Sequence, residues 1–271
     1  MRRSRCLRYK APVDTPLPLS VAIITLNEQD NLPRCLESVR NLAGEIVIVD
    51  SGSTDRTAEI ARQFGARLEV HPWPGHVAQK NVALNLCTQP WVLALDADEA
   101  LTPELAAAIR RQLSGAEPTA NGFLVSRRTF YLGDWLWHVW YPEWRIRLVR
   151  RGAAQWQGRD PHDRLEVTGP AERLPGDLLH YSYRDLTDHF QKMLRYARIL
   201  ADAYNREGRR FRWHDLIVTP WLEFVKYLLL KQAWRDGWRG WVVSFMHMVS
   251  VFTKYAFLWE LQRAKPTPPS P

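Results

Sequence analysis

The sequence predicts an α/β fold, a doubly wound and mostly parallel sheet with a helical C-terminal extension, on three observations. Short runs rich in β-branched residues alternate with helical patterns up to residue 113; that rhythm stops near residue 115; from residue 189 the chain reads as successive helices. Strands alternating with helices build parallel sheets, because each crossover helix returns the chain across a face of the sheet.

The first strand is the run Ser20–Thr25, too apolar to be exposed on either face. A helix follows, with Leu32, Cys35, Leu36, Val39 and Leu42 on one face, a proline near its start and Gly44 just past its end. Glu45–Asp50 is the second strand, and Ser53 or Thr54 is placed to cap a helix running to Gly65. Residues 67–71 form a weaker third strand, 76–88 a helix, Trp91–Leu95 a fourth strand, and Thr102-Pro103 opens a helix through Leu113. Residues 120–183 read as irregular strands and loops with clustered Trp, Tyr and Arg. Apolar spacing at 190, 193, 194, 197, 200, 201 and 204 predicts an amphipathic helix ending at Gly208, followed by helices over 214–234 and 238–262.

Charge divides the chain in the same way. The 271 residues carry a formal net charge of +8, but residues 11–112 hold thirteen acidic against eight basic groups, whereas residues 113–271 hold sixteen against twenty-four. Eleven of the thirteen tryptophans lie at or beyond Trp135. Cys6, Cys35 and Cys87 form no C-x-x-C pair, which argues for a reducing compartment; Cys35 and Cys87 fall on apolar helical positions and are expected in the core. The Arg-rich amino terminus has prolines where a signal peptide needs an apolar stretch, so export is not expected.

In open parallel sheets ligands bind beyond the carboxyl ends of the strands. Asp50 ends the second strand, and Asp96 and Asp98 end the fourth, two residues apart and so turned to one side of an extended backbone. Such oxygens suit Mg²⁺ or Mn²⁺, which take one or two carboxylates together with phosphate oxygens. No G-x-G-x-x-G follows the first strand and no P-loop occurs, which disfavours dinucleotide oxidoreductases and P-loop ATPases.

Thr25-Leu-Asn-Glu28, Val49-Asp50-Ser-Gly-Ser-Thr-Asp55, Gln79-Lys80-Asn81 and Leu95-Asp96-Ala-Asp98-Glu99 together resemble glycosyltransferase family 2 in order and spacing. Tyr141-Pro-Glu-Trp-Arg-Ile-Arg-Leu, Leu178-Leu-His-Tyr-Ser-Tyr and Asp236-Gly-Trp-Arg-Gly240 are similar to the branch that contains the lipopolysaccharide core β-1,4-glucosyltransferases. The resemblance implies a GT-A fold, a UDP-sugar donor, a divalent metal (Mg or Mn) and inversion at the anomeric carbon. It implies that Thr25, Glu28 and Asp50 hold the nucleoside, with Asp50 accepting the uracil N–H; that Lys80 faces the nucleotide; that Asp96 lies near ribose and metal; and that Asp98 ligates the metal. The base falls on Asp163, in Arg159-Asp-Pro-His162-Asp163-Arg164-Leu-Glu166, where the family usually shows Glu. Glu166 and Glu143 are reserves, and His162 is a candidate neighbour. A surface Asp paired with Arg159 or Arg164 is the plainer reading of Asp163. Arg145 and Arg147 are candidates for meeting phosphates, Arg150 and Arg151 for a solvated face.

The expected organisation is a basic flexible amino terminus over 1–19, a nucleotide-sugar-binding half over 20–115, an acceptor-side part over 116–188, a membrane-proximal helical region over 189–264 and a disordered tail over 265–271. The expected activity is transfer of a hexose, glucose by preference, to a glycolipid of the lipopolysaccharide inner core, by a cytoplasmic enzyme peripheral on the inner face of the cytoplasmic membrane. The expected partners are the UDP-sugar donor, the glycolipid acceptor and the membrane surface, with no nucleic acid. Trp and Tyr favour the membrane interface, and Lys and Arg anionic headgroups. Two rivals stand beside this reading: a haloacid-dehalogenase-like phosphatase, whose Asp-x-Asp also ends an apolar strand, and a non-enzymatic basic membrane or nucleic-acid binder.

Overall fold

A computed structural model describes residues 15–159 and 162–263. Most of the expected flexible amino terminus, Cys6, and the expected disordered tail lie outside the described residues, as do the side chains of Arg159 and His162. Two compact units are present: residues up to Leu124 with Ile146–Gly176, and Val125–Arg145 with the chain from Asp177 onward.

The first unit begins β1 (Leu19–Thr25), α1 (Leu32–Val39), β2 (Glu45–Asp50), α2 (Thr57–Gln63), β3 (Arg67–Val70), α3 (His76–Leu86), β4 (Trp91–Asp96), β5 (Glu99–Leu101) and α4 (Pro103–Ser114). The later strands are β6 (Gly122–Tyr131), β7 (Asp134–Trp135), β8 (Glu143–Arg150), β9 (Ala154–Arg159), β10 (His162–Val167) and β11 (Ala171–His180). The sheet runs β3-β2-β1-β4-β8-β6-β11-β5. Its β3-β2-β1-β4 portion is parallel, and β8 joins antiparallel through Trp91↔Arg150, Val92↔Val149 and Leu93↔Leu148. Register sets Thr25 opposite Asp50 and Ile24 opposite Asp96, so the carboxyl ends of β1, β2 and β4 finish level.

Alternation along these strands buries both faces. Ala22, Val47, Val49, Val92, Ala94 and Val149 form one cluster with Ala83, Leu84 and Cys87 of α3 and its C-cap. The alternate residues Val21, Ile23, Ile48 and Leu93 are also fully buried, as are Leu32, Cys35, Leu36 and Val39 of α1. Cys35 and Cys87 therefore sit in the core, and burial pushes both thiols up, Cys87 to about 12.

Ser53 and Thr54 do not cap α2: its first amide, that of Thr57, donates to the Asp55 carboxylate, and the Ser53 hydroxyl turns to Asp50 instead. The strands expected over 120–183 are six regular ones, β6 to β11; their partners are distant in sequence, which is why the sequence does not delimit them.

The second unit holds α5 (Leu186–Arg206), α6 (Trp213–Val225), a π-turn over Lys226–Leu230, a 3-10 turn over Ala233–Asp236 and α7 (Gly237–Arg263). Helix α7 packs on α5 and α6. Tyr131, Leu136 and Val139 cluster with Ala233 and Val243, and Ala201 clusters with Val251, Tyr255 and Leu258. A Cβ on Gly240 would collide with the Ala233 carbonyl, so α7 can approach the 3-10 turn only through glycine there. The buried stripe of α5 is His189, Met193, Ala197 and Ala201; Phe190 and Leu194, expected on it, are exposed.

Candidate active site

The first unit brings together residues from five segments. Lys80, on α3, places its ammonium 2.8 Å from Asp96 Oδ1 at the end of β4 and 2.7 Å from Asp163 Oδ2 on β10. Arg147 on β8 donates to the other Asp96 oxygen at 2.9 Å and to Glu99 Oε1 at 2.5 Å. Glu99 closes the array by accepting the Asp96 amide at 2.9 Å. The order is Asp163, Lys80, Asp96, Arg147, Glu99: three carboxylates interleaved with two cations. Glu99 and Arg147 are buried outright. Burial opposes the charge on Lys80, but Asp96 and Asp163 outweigh it and hold the ammonium above its ordinary pKa. Arg147 behaves alike, with Glu99 and Asp96 outweighing its burial.

Asp163 is thus paired with Lys80 rather than exposed beside Arg164, which bonds Glu166. The reason is β10's alternation: Leu165 and Val167 pack into the core cluster, so Asp163, on the same face, also turns inward. Glu166 falls on the opposite face. Glu143 is bound by Arg127 at 2.7 Å and Arg145 at 2.5 Å; these cations outweigh its burial and hold its carboxyl below the usual range, which makes it a poor proton acceptor.

The Gln79-Lys80-Asn81 triplet divides its work. Gln79, fully buried, meets His71 Nδ1 at 2.8 Å and donates to the Ser51 hydroxyl at 3.1 Å, tying together the segments that follow β2 and β3. Asn81 forms a reciprocal pair with the Trp156 backbone, donating at 2.9 Å and accepting at 2.9 Å, which clamps β9 onto α3. The Trp156 ring lies 4.4 Å from the Lys80 ammonium and 5.7 Å from the Arg147 guanidinium, and shields both from water.

At the end of β2, Asp50 is buried and accepts four hydrogen bonds: from Thr25 Oγ1 at 2.8 Å, Ser53 Oγ at 2.5 Å, and the amides of Gly52 at 3.0 Å and Ser53 at 2.7 Å. Those four fill a carboxylate's acceptor capacity. Glu28 anchors the loop after β1, its amide donating to Thr57 and its carboxylate accepting from Asn31 at 2.9 Å. Asn27 beside it is left-handed, with φ 56°, and its carboxamide accepts from the Thr54 amide.

The resemblance implies a divalent metal. Among the described residues no group of three or more His, Cys, Asp and Glu is arranged to hold one. β4 ends at Asp96 and residues 97–98 form a turn, so the two carboxylates do not share the extended backbone expected from the sequence; both Asp96 oxygens are held by Lys80 and Arg147, and Asp98 is the carboxylate whose chemistry fits a hard cation. Mg²⁺ and Mn²⁺ need only one or two protein carboxylates when a diphosphate supplies further oxygens.

Four participants were missed in the sequence: Glu99, Arg147 in its carboxylate-binding role, Trp156 and Asn81. Glu99 and Asn81 lie within the family-like motifs without an expected role, whereas nothing local marks Trp156. Arg147 was expected to meet phosphates, but its guanidinium is engaged by Asp96 and Glu99. Arg150 is not on a solvated face; it bonds Glu117, Asn121 and the Pro118 carbonyl and stacks on Trp91.

A family model, Glycosyl transferase family 2, matches residues 20–165. The chain belongs to glycosyltransferase family 2. The family 2 chain is 32% identical over 93% of its length, and 96% of the relative's, to a Rhizobium meliloti protein named lipopolysaccharide core biosynthesis glycosyltransferase LpsC. It is 30% identical over 90% of its length to an uncharacterized glycosyltransferase of Rickettsia typhi, covering 87% of that protein. Among solved structures, a fragment of S. aureus TarS aligns over 90% of this chain and 91% of that one at 15% identity and TM-score 0.44. Glucosyl-3-phosphoglycerate synthase from Mycobacterium tuberculosis, solved with Mn²⁺ and UDP, aligns over 43% of this chain and 45% of that one at 24% identity and TM-score 0.34. The family 2 chain is a glycosyltransferase, and neither the phosphatase nor the non-enzymatic reading has support.

Proposed function

We propose that this family 2 transferase moves a hexose, glucose by preference, from a UDP-sugar to a glycolipid of the lipopolysaccharide inner core, with inversion, at the inner face of the cytoplasmic membrane. The observation that carries the reading is the convergence of Lys80, Asp96 and Asp163, which sets a carboxylate able to take a proton beside groups suited to a nucleoside diphosphate. The name of the Rhizobium relative supports the acceptor class.

In this reading Thr25, Glu28 and Asp50 surround the nucleoside. A uracil N–H reaching Asp50 replaces one of its four donors, of which the Thr25 and Ser53 hydroxyls are the rotatable ones. Asp98, with Asp96 nearby, would hold a divalent cation, which when bound would supply stabilisation of the negative charge on the departing diphosphate. A donor phosphate arriving at Lys80 takes the place of Asp163 as its partner and leaves that carboxylate for the acceptor. Asp163 then removes the proton of the acceptor hydroxyl as its oxygen bonds to the anomeric carbon and the bond to the diphosphate breaks. Asp163 has one methylene less than the usual Glu, and β10's inward face is what brings it into reach.

Incubation of the protein with a panel of UDP-, GDP- and TDP-sugars and purified inner-core glycolipid tests the reading. Transfer from a UDP-hexose that stops on chelation of divalent metal is expected. Transfer from GDP- or TDP-sugars alone overturns the donor assignment, and transfer undiminished by chelation overturns the metal.

A further inference from the structure

Helices α6 and α7 present their apolar residues outward. On α6, Trp213, Ile217, Trp221, Leu222 and Val225 recur at three- and four-residue spacing, and all are exposed; the π-turn continues the stripe with Leu229 and Leu230, the latter 78% exposed. On α7 the exposed positions are Trp238, Trp241, Phe245, Phe252 and Trp259, again one stripe. The two stripes share a side of the helix pair. Trp213 contacts Trp259 at 6.4 Å and Phe224 contacts Trp241 at 6.2 Å, so the helices run antiparallel with their aromatics interleaved. The strip from 213 to 230 is about 27 Å long. An exposed apolar strip of this length marks a contact site.

Its margin is basic. A cavity of about 500 Å³, lined by Gly208, Arg209, Arg210, Arg212, His214 and Asp215, opens where the chain enters α6 beside Trp213. Arg209 is engaged there by Asp215 and the Tyr255 hydroxyl, while Arg210 and Arg212 are exposed. Beyond the π-turn that follows α6, Lys231 and Arg235 are exposed beside Leu230 and Trp234. Tryptophans around an aliphatic strip with arginines at both ends match a bilayer interface: apolar acyl chains, a headgroup zone favoured by indole, and anionic phosphates outside it.

The geometry points to the exposed face of α6 and α7 as a membrane-docking surface that lies in the plane of a bilayer containing anionic lipid, with Arg210 and Arg212 meeting headgroup phosphates. It deepens the membrane-surface reading above and rests on it for biological sense, although its observations are independent of the transferase site. By length and composition Ala233–Arg263 is apolar enough to cross a membrane. A spanning helix must, however, leave its unit, and α7 buries Gly240, Val243, Ser244, Met246 and Val251 within that unit.

Flotation of the full chain with vesicles of phosphatidylethanolamine and phosphatidylglycerol, or of phosphatidylcholine alone, tests the surface. Binding to the anionic vesicles is expected, weakened by high salt and accompanied by quenching of tryptophan emission by brominated acyl chains. Trp221→Glu with Leu222→Glu should lower it about tenfold or more, because two exposed apolar anchors are lost without touching the core. Arg210→Ala with Arg212→Ala should remove the preference for anionic lipid. Circular dichroism and the thermal midpoint check that both variants fold. Absence of binding at both low and high salt, unchanged binding by the Glu variant, resistance to alkaline carbonate extraction, or a dimer that the Glu variant splits would each overturn the proposal. UDP-sugar binding by calorimetry is measured in parallel. Its loss in the wild type would sink the transferase reading alone, and its persistence without vesicle binding would sink the docking surface alone.

Discussion

Lys80 and Asp163, eighty-three positions apart, form an ion pair of 2.7 Å in which the ammonium also touches Asp96 at 2.8 Å. The group proposed as base and the residue proposed to face the nucleotide are therefore partners before any substrate is present. In the proposed mechanism a donor phosphate at Lys80 would release Asp163 from this pair.

Asp163→Asn keeps the shape and a hydrogen bond to neighbouring groups but cannot take a proton. Transfer should fall by roughly 10²–10⁴-fold, while the dissociation constant for UDP by calorimetry should stay within a few-fold. A fully active variant removes Asp163 from the mechanism.

Arg147 holds Asp96 and Glu99 and, on the proposed mechanism, would act as a positioning residue. Arg147→Ala leaves Glu99 buried without its cation and should cost about 3 kcal/mol or more in urea denaturation. Arg147→Lys retains the charge but cannot reach both carboxylates with one planar fork. It should lower kcat with little change in KM for the donor, whereas a purely structural role would leave kcat of the folded variant unchanged.

If Asp98 holds the cation as proposed, Asp98→Asn should weaken Mn²⁺-dependent UDP binding about tenfold or more while leaving metal-free nucleotide binding unaltered. Equal loss with and without Mn²⁺ would place Asp98 on the nucleotide instead.

The second unit should show acid sensitivity from His189, which meets the Tyr131 hydroxyl at 2.7 Å. Burial lowers its pKa to about 4, below the ordinary 6.5. Between these values the unfolded chain binds more protons than the folded one, so stability is full above about pH 6.5 and declines as pH falls towards about 4. The loss should approach roughly 3 kcal/mol. Urea titrations across that window should show the slope in the wild type and its absence in His189→Gln.

Local information in the sequence was enough for the parallel half of the fold and the carboxylates at its edge. The β-branched runs ending at Thr25, Asp50 and Asp96 are contiguous, and their alternation with amphipathic helices admits few topologies. Motif order added Lys80, Asp98 and Asp163 as candidates. What tertiary structure alone decided is who meets whom. Nothing near Arg147 says that its partners are Asp96 and Glu99, because β8 reaches β4 only through a pairing across more than fifty residues. Trp156 shields the two cations only because Asn81 holds β9 against α3. The thirteen tryptophans followed the same division: their number and skew towards the carboxyl end were legible at once, but periodicity cannot say which stripe of a helix faces its neighbours. Packing of α7 on α5 and α6 consumed its small and aliphatic residues and left Trp238, Trp241 and Trp259 outside.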